Sequence, residues 1–145
     1  MAKKIKAAVI GAGIGKYHIE GYQASGKADV VALSDVNPVA LADVCAKFDI
    51  PGAYTDFKEM LKDDAIDCVS VCVPNALHAP LVIECLKAGK HVLCEKPLAR
   101  DAKEGQKMVD AAAAAGKKFM IQFNNRYRPE AMLLKQYADA GEMGN

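Results

Sequence analysis

Short apolar runs alternate with longer amphipathic stretches along the whole of this 145-residue chain. Such alternation is typical of βαβ units, in which a helix connects each strand of a parallel sheet to the next. The clearest run, residues 66–73, is β-branched and apolar on both faces, as a central parallel strand should be. The predicted strands cover residues 4–10, 29–34, 53–54, 66–73, 91–94 and 118–123.

The amphipathic stretches between these runs have the ends expected of helices. Proline fits the first turn of a helix, which predicts that one helix begins at Pro38. Asp56 and Asp101 are each followed three positions later by a glutamate, the spacing of a capping box. The predicted helices cover residues 16–25, 38–48, 57–62, 77–88, the segment between Asp101 and Gly116, and 129–140. Six strands with five crossovers predict an α/β fold with a doubly wound, mainly parallel sheet in three layers.

Composition and charge narrow the class of protein. Apolar residues make up 52% of the chain, enough for the core of one globular domain. The 19 basic and 18 acidic residues are spread along the chain without a charged block, so no nucleic-acid partner is expected. The first apolar run is broken by Lys6 and is too short to span a bilayer, so no membrane partner is expected either.

The cysteines indicate a reducing compartment. Five cysteines cannot all pair with one another, and none stands in a C-x-x-C motif. Most of them neighbour apolar residues, as expected of free, buried thiols. We therefore expect a cytoplasmic protein without a metal site.

A glycine-rich loop, Gly11-Ala12-Gly13-Ile14-Gly15, follows the first predicted strand. In a strand–loop–helix unit, glycines let the chain turn sharply, and backbone N–H groups at the helix start can bind a pyrophosphate. Gly11 and Gly13 fit the G-x-G-x-x-G pattern, but its third position is Lys16, with Gly15 one place early. We therefore expect a loop shortened by one residue and leave open whether a glycine packs the helix against the strand.

The second predicted strand is followed by Asp35, which stands 22 residues after Gly13. A carboxylate there can accept hydrogen bonds from both hydroxyls of an adenosine ribose, and it repels a 2′-phosphate. No arginine follows directly, which favours NAD over NADP. The alternative is that Asp35 only caps the helix that begins near Pro38. S-adenosylmethionine and FAD stay open as rival ligands, since both also bind glycine loops on such sheets.

Glu95-Lys96-Pro97 follows the predicted strand 91–94 and places an amine and a proline turn at its carboxyl end. In an open parallel sheet the loops at the carboxyl ends of the strands share one crevice, where ligands bind. The glycine loop and Lys96 are therefore expected to face the same pocket. The alternative is that Lys96 is a solvated surface lysine, as most lysines are. A methyltransferase would not need a lysine at this position.

In this order, the motifs resemble the N-terminal domain of the Gfo/Idh/MocA oxidoreductases, the family of inositol dehydrogenase and glucose–fructose oxidoreductase. The resemblance rests on the glycine loop, Asp35, Val73-Pro74-Asn75-Ala76-Leu77-His78 and Glu95-Lys96-Pro97. Residues 124–129 are similar to the segment by which these enzymes leave the nucleotide domain. The resemblance implies an NAD(P)-binding Rossmann domain over residues 1–123 and, over residues 124–145, the start of a crossover into a second domain.

The resemblance also implies which residues hold NAD. Gly11, Gly13 and the amides around Ile14 would bind the pyrophosphate. Asp35 would bind the adenosine ribose. Three residues after the fourth strand would line the cofactor crevice. Of the two neighbours of Lys96, the first would support the cofactor from beside it and the second would shape the turn beneath the nicotinamide. These are Pro74, Asn75 and His78, and Glu95 and Pro97.

Several residues are open between two interpretations. His78 would line the crevice or simply begin a helix. Arg126 would touch the substrate or form a structural ion pair. His18 and His91 are expected only to belong to the first helix and the fifth strand.

The implied reaction is hydride transfer between NAD and a sugar, polyol or related secondary alcohol. Lys96 would be catalytic: it would reach the substrate hydroxyl, stabilise the developing alkoxide and help its deprotonation. Full-length members of the family carry a second domain with an acid/base histidine, an aspartate and usually the oligomer interface. No histidine follows Lys96, so we expect a small polyhydroxylated substrate to react only when that domain is supplied. The alternative is a stand-alone module that binds or senses NAD(H).

Overall fold

The computed structural model describes residues 3–144. Within that range six strands alternate with helices in the predicted order, and short 3₁₀ turns stand at Asn75–Leu77 and Asn124–Tyr127. The strands are β1 (Ile5–Ile10), β2 (Ala28–Ser34), β3 (Gly52–Tyr54), β4 (Cys68–Val71), β5 (His91–Cys94) and β6 (Phe119–Ile121). The helices are α1 (Ala12–Ser25), α2 (Pro38–Phe48), α3 (Phe57–Leu61), α4 (His78–Lys87), α5 (Ala102–Ala115) and α6 (Pro129–Asp139).

The described strands form one sheet in the order β3-β2-β1-β4-β5-β6, and every neighbouring pair is parallel. The chain builds outward from β1 to β3, then returns to the middle and builds outward again from β4 to β6. The doubly wound α/β fold predicted from the sequence is thus confirmed. The direction of building reverses between β1 and β4, and in such sheets the crevice at this switch point binds ligands.

Helices cover both faces of the sheet and give it three layers. The two cores are built from buried apolar side chains, which supply most of the hydrophobic stabilisation. Around α1 and α2 these side chains include Val9, Ile19, Leu33, Leu41 and Ile50. Around α3, α4 and α5 they include Met60, Val69, Val82, Leu86 and Met108.

Helix α1 begins at Ala12 and not at residue 16 as predicted, so Gly13 and Gly15 lie in its first turn. The early start depends on Gly11, whose positive φ of 101° turns the chain within one residue. The N–H of Gly11 donates to the carbonyl oxygen of Ser34 at 2.8 Å, which fixes the turn against β2.

Strand β4 is shorter than predicted, because the apolar run 66–73 forms a strand only over Cys68–Val71. Its ladder with β1 ends at Ile10, where the chain turns away at Gly11. The N–H of Cys72 still donates to the carbonyl oxygen of Ile10 at 2.8 Å, and the chain then leaves the sheet. Strand β6 is likewise shorter at both ends than the predicted run. Hydrophobicity predicts which residues are buried, but the length of the partner strand decides how far pairing extends.

Both predicted capping boxes are only half formed within residues 3–144. The side chains of Asp56 and Asp101 accept a backbone N–H from the first turns of α3 and α5, at 2.9 Å and 2.8 Å. The return contact is absent from both, because the glutamate three residues later pairs with Lys62 in the first and Arg100 in the second. The aspartates alone therefore cap these helices.

Residues 3–144 contain no helix that is both long and apolar enough to cross a membrane. The five cysteines lie in this range as free thiols. Burial, together with the nearby Glu95 carboxylate, raises the pKa of the Cys94 thiol to about 12, so it stays protonated at neutral pH. No group of three or more His, Cys, Asp or Glu side chains in the described range is arranged to hold a metal ion.

Gly15 packs α1 closely against the sheet. A β-carbon at this position would lie 2.7 Å from Val9 Cγ1 and 3.5 Å from the Cβ of Cys72. Both neighbours are buried, so neither can move aside freely. The close packing that the sequence left open is therefore carried by Gly15, one position earlier than in the usual glycine pattern.

We expect Gly15→Ala to lower the free energy of unfolding by about 1–3 kcal/mol, the range for overpacking a filled core. Gly21→Ala in the same helix is the matched control, because a β-carbon there meets no atom within 4 Å. The control should raise stability by about 0.5–1 kcal/mol through helix propensity alone. Urea denaturation followed by circular dichroism measures both, and equal effects of the two substitutions would contradict close packing at Gly15.

Candidate functional site

The loops after β1 and β4 meet at the switch point of the sheet with almost no space between them. A β-carbon on Gly11 would lie 2.1 Å from the carbonyl oxygen of Cys72, so only glycine fits there. The contact brings the start of α1 beside Val73 and Pro74, which follow β4. Two of the predicted cofactor segments are therefore neighbours.

The first turn of α1 is open to an anion. Its N-cap, Gly11, makes no side-chain cap, and no acidic residue of the helix lies in the first turn. A carboxylate from outside the helix, that of Asp35, takes the N–H of Ala12. A β-carbon on Gly13 would meet no atom within 4 Å, so the space beside it is free. A helix start presents backbone N–H groups and the positive end of the helix dipole, which suit a pyrophosphate.

Asp35 joins the loops after β1 and β2. Its Oδ2 accepts the N–H of Ala12 at 2.7 Å, and its Oδ1 accepts the N–H of Asn37 at 2.8 Å. The cap of α2 is Asn37, whose side chain accepts from Val39 and Ala40, so the interpretation of Asp35 as a helix cap is wrong. A carboxylate has about four acceptor positions, and Asp35 therefore keeps capacity for ligand hydroxyls.

An open groove of about 650 Å³ runs between the loops after β2 and β4, and we call it the β2–β4 groove. Its lining includes Gly11, Gly13, Asp35, Val36, Pro74 and Leu77. It combines a carboxylate, a helix start that suits an anion, and apolar walls. These groups match the ribose, the phosphates and the adenine of a dinucleotide.

A second, smaller pocket of about 520 Å³ lies between α1 and β5, and we call it the α1–β5 pocket. Its lining includes Ile14, His18, Tyr22, Leu93, Glu95 and Asn124. Neighbouring residues of the first turn of α1 thus line the two cavities, Gly13 the groove and Ile14 the pocket. A pyrophosphate bound at this turn could extend into both.

His78 does not line the crevice, so the role implied by the resemblance is corrected. It begins α4, as the alternative held, and its side chain is fully buried at 0% exposure. Its Nδ1 lies 2.8 Å from the carbonyl oxygen of Pro97 and its Nε2 lies 3.0 Å from that of Val73. The ring of His78 thus lies between the loop after β4 and the turn after β5. Because a carbonyl oxygen can only accept and a neutral imidazole has one N–H, a neutral ring donates to one of the two oxygens.

Glu95, Lys96 and Pro97 form the turn after β5. Lys96 is exposed, and its ammonium forms no ion pair with any residue in the range 3–144. Glu95 is only 14% exposed at its side chain, and its Oε2 accepts the backbone N–H of Lys96 at 3.0 Å. The peptide bond between Lys96 and Pro97 is cis. The turn thus presents a free amine beside a fixed carboxylate.

Sequence reasoning missed a chain of buried polar groups beneath this turn. His18 Nε2 lies 3.1 Å from Glu95 Oε1, and His18 Nδ1 lies 3.1 Å from Ser70 Oγ. Tyr22 Oη lies 2.8 Å from the same serine oxygen. We call Tyr22, Ser70, His18 and Glu95 the buried polar chain. Ser70 was the available signal, because a hydroxyl in the middle of a buried apolar strand requires partners.

Two predicted residues lie at the rim of the site. Asn75 is exposed in the 3₁₀ turn directly after Pro74. Arg126 is exposed in the turn Asn124–Tyr127 and forms no ion pair with residues 3–144, so the ion-pair alternative has no support. Asn124, two residues earlier, lines the α1–β5 pocket.

Comparison with known proteins defines the class. A family model described as an oxidoreductase family with an NAD-binding Rossmann fold matches residues 5–123. Fold, site and match together define the NAD-binding domain of an oxidoreductase. The chain belongs to the Gfo/Idh/MocA family, as the resemblance of its motifs implied.

Several of the similar proteins are dehydrogenases named for inositol or levoglucosan. Myo-inositol 2-dehydrogenase of Thermotoga maritima is 34% identical over 141 residues, which is 97% of this chain and 42% of that protein. Levoglucosan dehydrogenase of Pseudarthrobacter phenanthrenivorans is 35% identical over 112 residues, 77% of this chain and 29% of that protein. A solved levoglucosan dehydrogenase in complex with NADH and levoglucosan has a TM-score of 0.92 at 31% identity, over 99% of this chain and 41% of that one. The chain thus spans less than half the length of these relatives.

We expect His78→Leu to lower the free energy of unfolding by about 2 kcal/mol, because a carbonyl oxygen beside the buried ring would lose its donor. His91→Leu is the matched control: its Nδ1 accepts the N–H of Lys118 at 3.0 Å in an exposed position, where water can replace it. The control should change stability by less than about 1 kcal/mol. Chemical denaturation measures both, and a mild effect of His78→Leu would contradict its place between the two loops.

Proposed function

We propose that this chain is the nucleotide-binding domain of an NAD-dependent dehydrogenase acting on a sugar, polyol or related secondary alcohol. The observation that carries the proposal is that the first turn of α1 lines two cavities, one containing Asp35 and the other Glu95. A dinucleotide with its pyrophosphate on that turn has room for its adenosine in the groove and for its nicotinamide towards Glu95. The relatives named for myo-inositol and levoglucosan support this class of substrate.

Residues from four loops would hold the cofactor, which supplies a hydride acceptor, or a hydride donor when reduced. Backbone amides at the start of α1 would bind the pyrophosphate, and Asp35 would accept hydrogen bonds from the adenosine ribose. The carboxylate also favours NAD over NADP, because a 2′-phosphate would be repelled. The proposed contacts are Gly11, Gly13, Ile14, Asp35, Pro74, Asn75, Glu95 and Pro97.

Lys96 would act on the substrate. An ammonium near the carbinol oxygen stabilises the negative charge that develops as the hydroxyl proton leaves. Its exposure and its lack of an ion pair among residues 3–144 support this role, because no carboxylate neutralises it. The proton itself must go to a general base near neutral pKa. We propose that this base belongs to a second domain, because the relatives are more than twice as long as this chain.

We propose that residues 124–145 lead from the nucleotide domain into that second domain. Relatives more than twice as long support this, and so does the surface of α6. Met132, Leu133, Leu134 and Tyr137 are between 45% and 56% exposed on this helix, as expected of a surface that another domain covers. The same domain would supply the substrate pocket and the oligomer interface, and Arg126 would face the substrate near the junction.

We also propose a cytoplasmic location without nucleic-acid or membrane partners. Five free thiols, three of them buried, support a reducing compartment. The balance of 19 basic and 18 acidic residues supports the lack of a nucleic-acid partner.

Titration of the chain with NADH, followed by fluorescence or calorimetry, tests the cofactor site. We expect saturable binding in the micromolar range and an Asp35→Asn variant that loses about tenfold in its preference for NADH over NADPH, as expected from removing one charge. Asn37→Ala is the control, because it should remove about 1 kcal/mol of helix capping and leave both affinities unchanged. Absence of saturable NADH binding below millimolar concentrations would overturn the proposed function.

Lys96→Ala tests the assignment of this lysine to substrate. Binding of NADH should change by less than about twofold, because no cofactor phosphate contacts the ammonium in the proposed arrangement. In an enzyme completed by its second domain, turnover should fall at least about 100-fold. Lys103→Ala on the exposed surface of α5 controls for loss of one positive charge. A tenfold or larger loss of NADH affinity would instead assign Lys96 to the phosphates.

A further inference from the structure

The buried polar chain connects three separate parts of the fold. Tyr22 and His18 belong to α1, Ser70 to the central strand β4, and Glu95 to the turn after β5. Ser70 is fully buried, and the side chains of His18 and Glu95 are only 5% and 14% exposed. A buried polar network in which every member is paired makes its surroundings rigid.

Hydrogen-bonding chemistry gives the chain a direction. The Glu95 carboxylate can only accept, so His18 Nε2 must donate to it. With a neutral ring, Nδ1 accepts the hydroxyl proton of Ser70, whose oxygen accepts in turn from Tyr22. Burial strongly raises the pKa of the Tyr22 phenol, which keeps this residue a donor. The buried polar chain therefore fixes one tautomer of His18, in which Nε2 carries the proton and donates it in a hydrogen bond to Glu95.

The same residue types occur in hydrolytic triads, but this geometry excludes that role. Ser70 is fully buried in β4, and its hydroxyl oxygen lies between His18 and Tyr22. An acyl group could not reach this oxygen without opening the sheet. The buried polar chain therefore holds Glu95 in place and does not supply a nucleophilic serine.

Because His18 fixes the Glu95 side chain, Glu95 in turn fixes the backbone of Lys96. While its Oε1 faces His18, its Oε2 accepts the backbone N–H of Lys96 at 3.0 Å. The backbone N–H of Glu95 also donates to Val71 at 3.0 Å, so main chain and side chain are both fixed. His18 stands one helical turn after Ile14, on the helix whose start would bind the pyrophosphate.

We infer that His18, anchored by Ser70 and Tyr22, is a positioning residue that fixes Glu95 and the Lys96 turn relative to the cofactor-binding start of α1. The inference rests on the proposed function. With its adenosine at Asp35 and its pyrophosphate on α1, a dinucleotide places its nicotinamide end towards β5. His18 therefore acts on the half of the site where hydride transfer takes place, and the adenosine half is independent of it.

Two amide variants separate the two contacts of His18. In His18→Asn the amide occupies the place of Nδ1 and can still reach Ser70, but it falls short of Glu95. In His18→Gln the longer side chain carries an N–H group to the place of Nε2. We therefore expect His18→Asn to release Glu95 and His18→Gln to restore much of its position.

Hydrogen exchange of the Lys96 amide, followed by NMR on the 145-residue chain, tests the positioning directly. Exchange should quicken about tenfold in His18→Asn, the loss expected for one charge-assisted hydrogen bond. It should return towards the wild-type rate in His18→Gln. Equal protection of the Lys96 amide in wild type and His18→Asn would overturn the inference, whatever the chain binds.

The affinities for NADH and ADP-ribose supply the functional test, because ADP-ribose lacks the nicotinamide. In His18→Asn the affinity for NADH should fall about tenfold while that for ADP-ribose changes by less than twofold. A general loss of folding would weaken both ligands equally and would count against positioning. If His18→Asn does not fold, Ser70→Ala is measured in its place, with the same split expected.

The two proposals fail in different ways. A wild-type chain that binds neither ligand overturns the proposed function, and the Lys96 amide then still decides whether His18 positions the turn. A wild-type chain that binds both ligands, with an unchanged NADH to ADP-ribose ratio in His18→Asn, overturns the inference alone.

Discussion

The site depends on one close approach: the Cα of Gly11 against the carbonyl oxygen of Cys72, where any β-carbon would stand 2.1 Å from that oxygen. This approach ends β1, starts α1 within one residue and brings the loops after β1 and β4 together. The hydrogen bond from Gly11 to Ser34 adds the loop after β2. The cofactor crevice follows from a single position that tolerates no side chain.

The fold could be predicted from the sequence because its central strands are largely buried on both faces. In a parallel sheet covered by helices, each strand corresponds to a separate apolar run in the sequence, and each run from β1 to β6 can be recognised. The exact ends of the strands and helices were harder to predict from the sequence. Strand β4 ends where its neighbour β1 turns away, which is a property of the partner strand, and α1 starts early because of the conformation of Gly11.

The candidate site was predicted as a set of motifs, and its internal contacts were not. The sequence placed Gly11, Asp35 and Lys96 at strand ends that share one edge of the sheet. It assigned His78 to the crevice and left His18 in a helix, whereas His78 is a buried link and His18 contacts Glu95. His18 does lie in α1, as predicted. A local pattern could not specify its contact with Glu95, 77 positions away, or the contact of His78 with Pro97, 19 positions away.

Asp35 has a consequence for how quickly a ligand can come and go. Its two oxygens are held by the N–H groups of Ala12 and Asn37. If Asp35 binds the ribose, as we propose, the ribose would meet an acceptor whose side chain is already fixed, so no rotamer would have to be frozen on binding. Because the Asp35 side chain is held by backbone N–H groups, it would keep the same orientation when a ligand leaves. In the proposed arrangement, this preorganised end of the crevice is the one furthest from the nicotinamide.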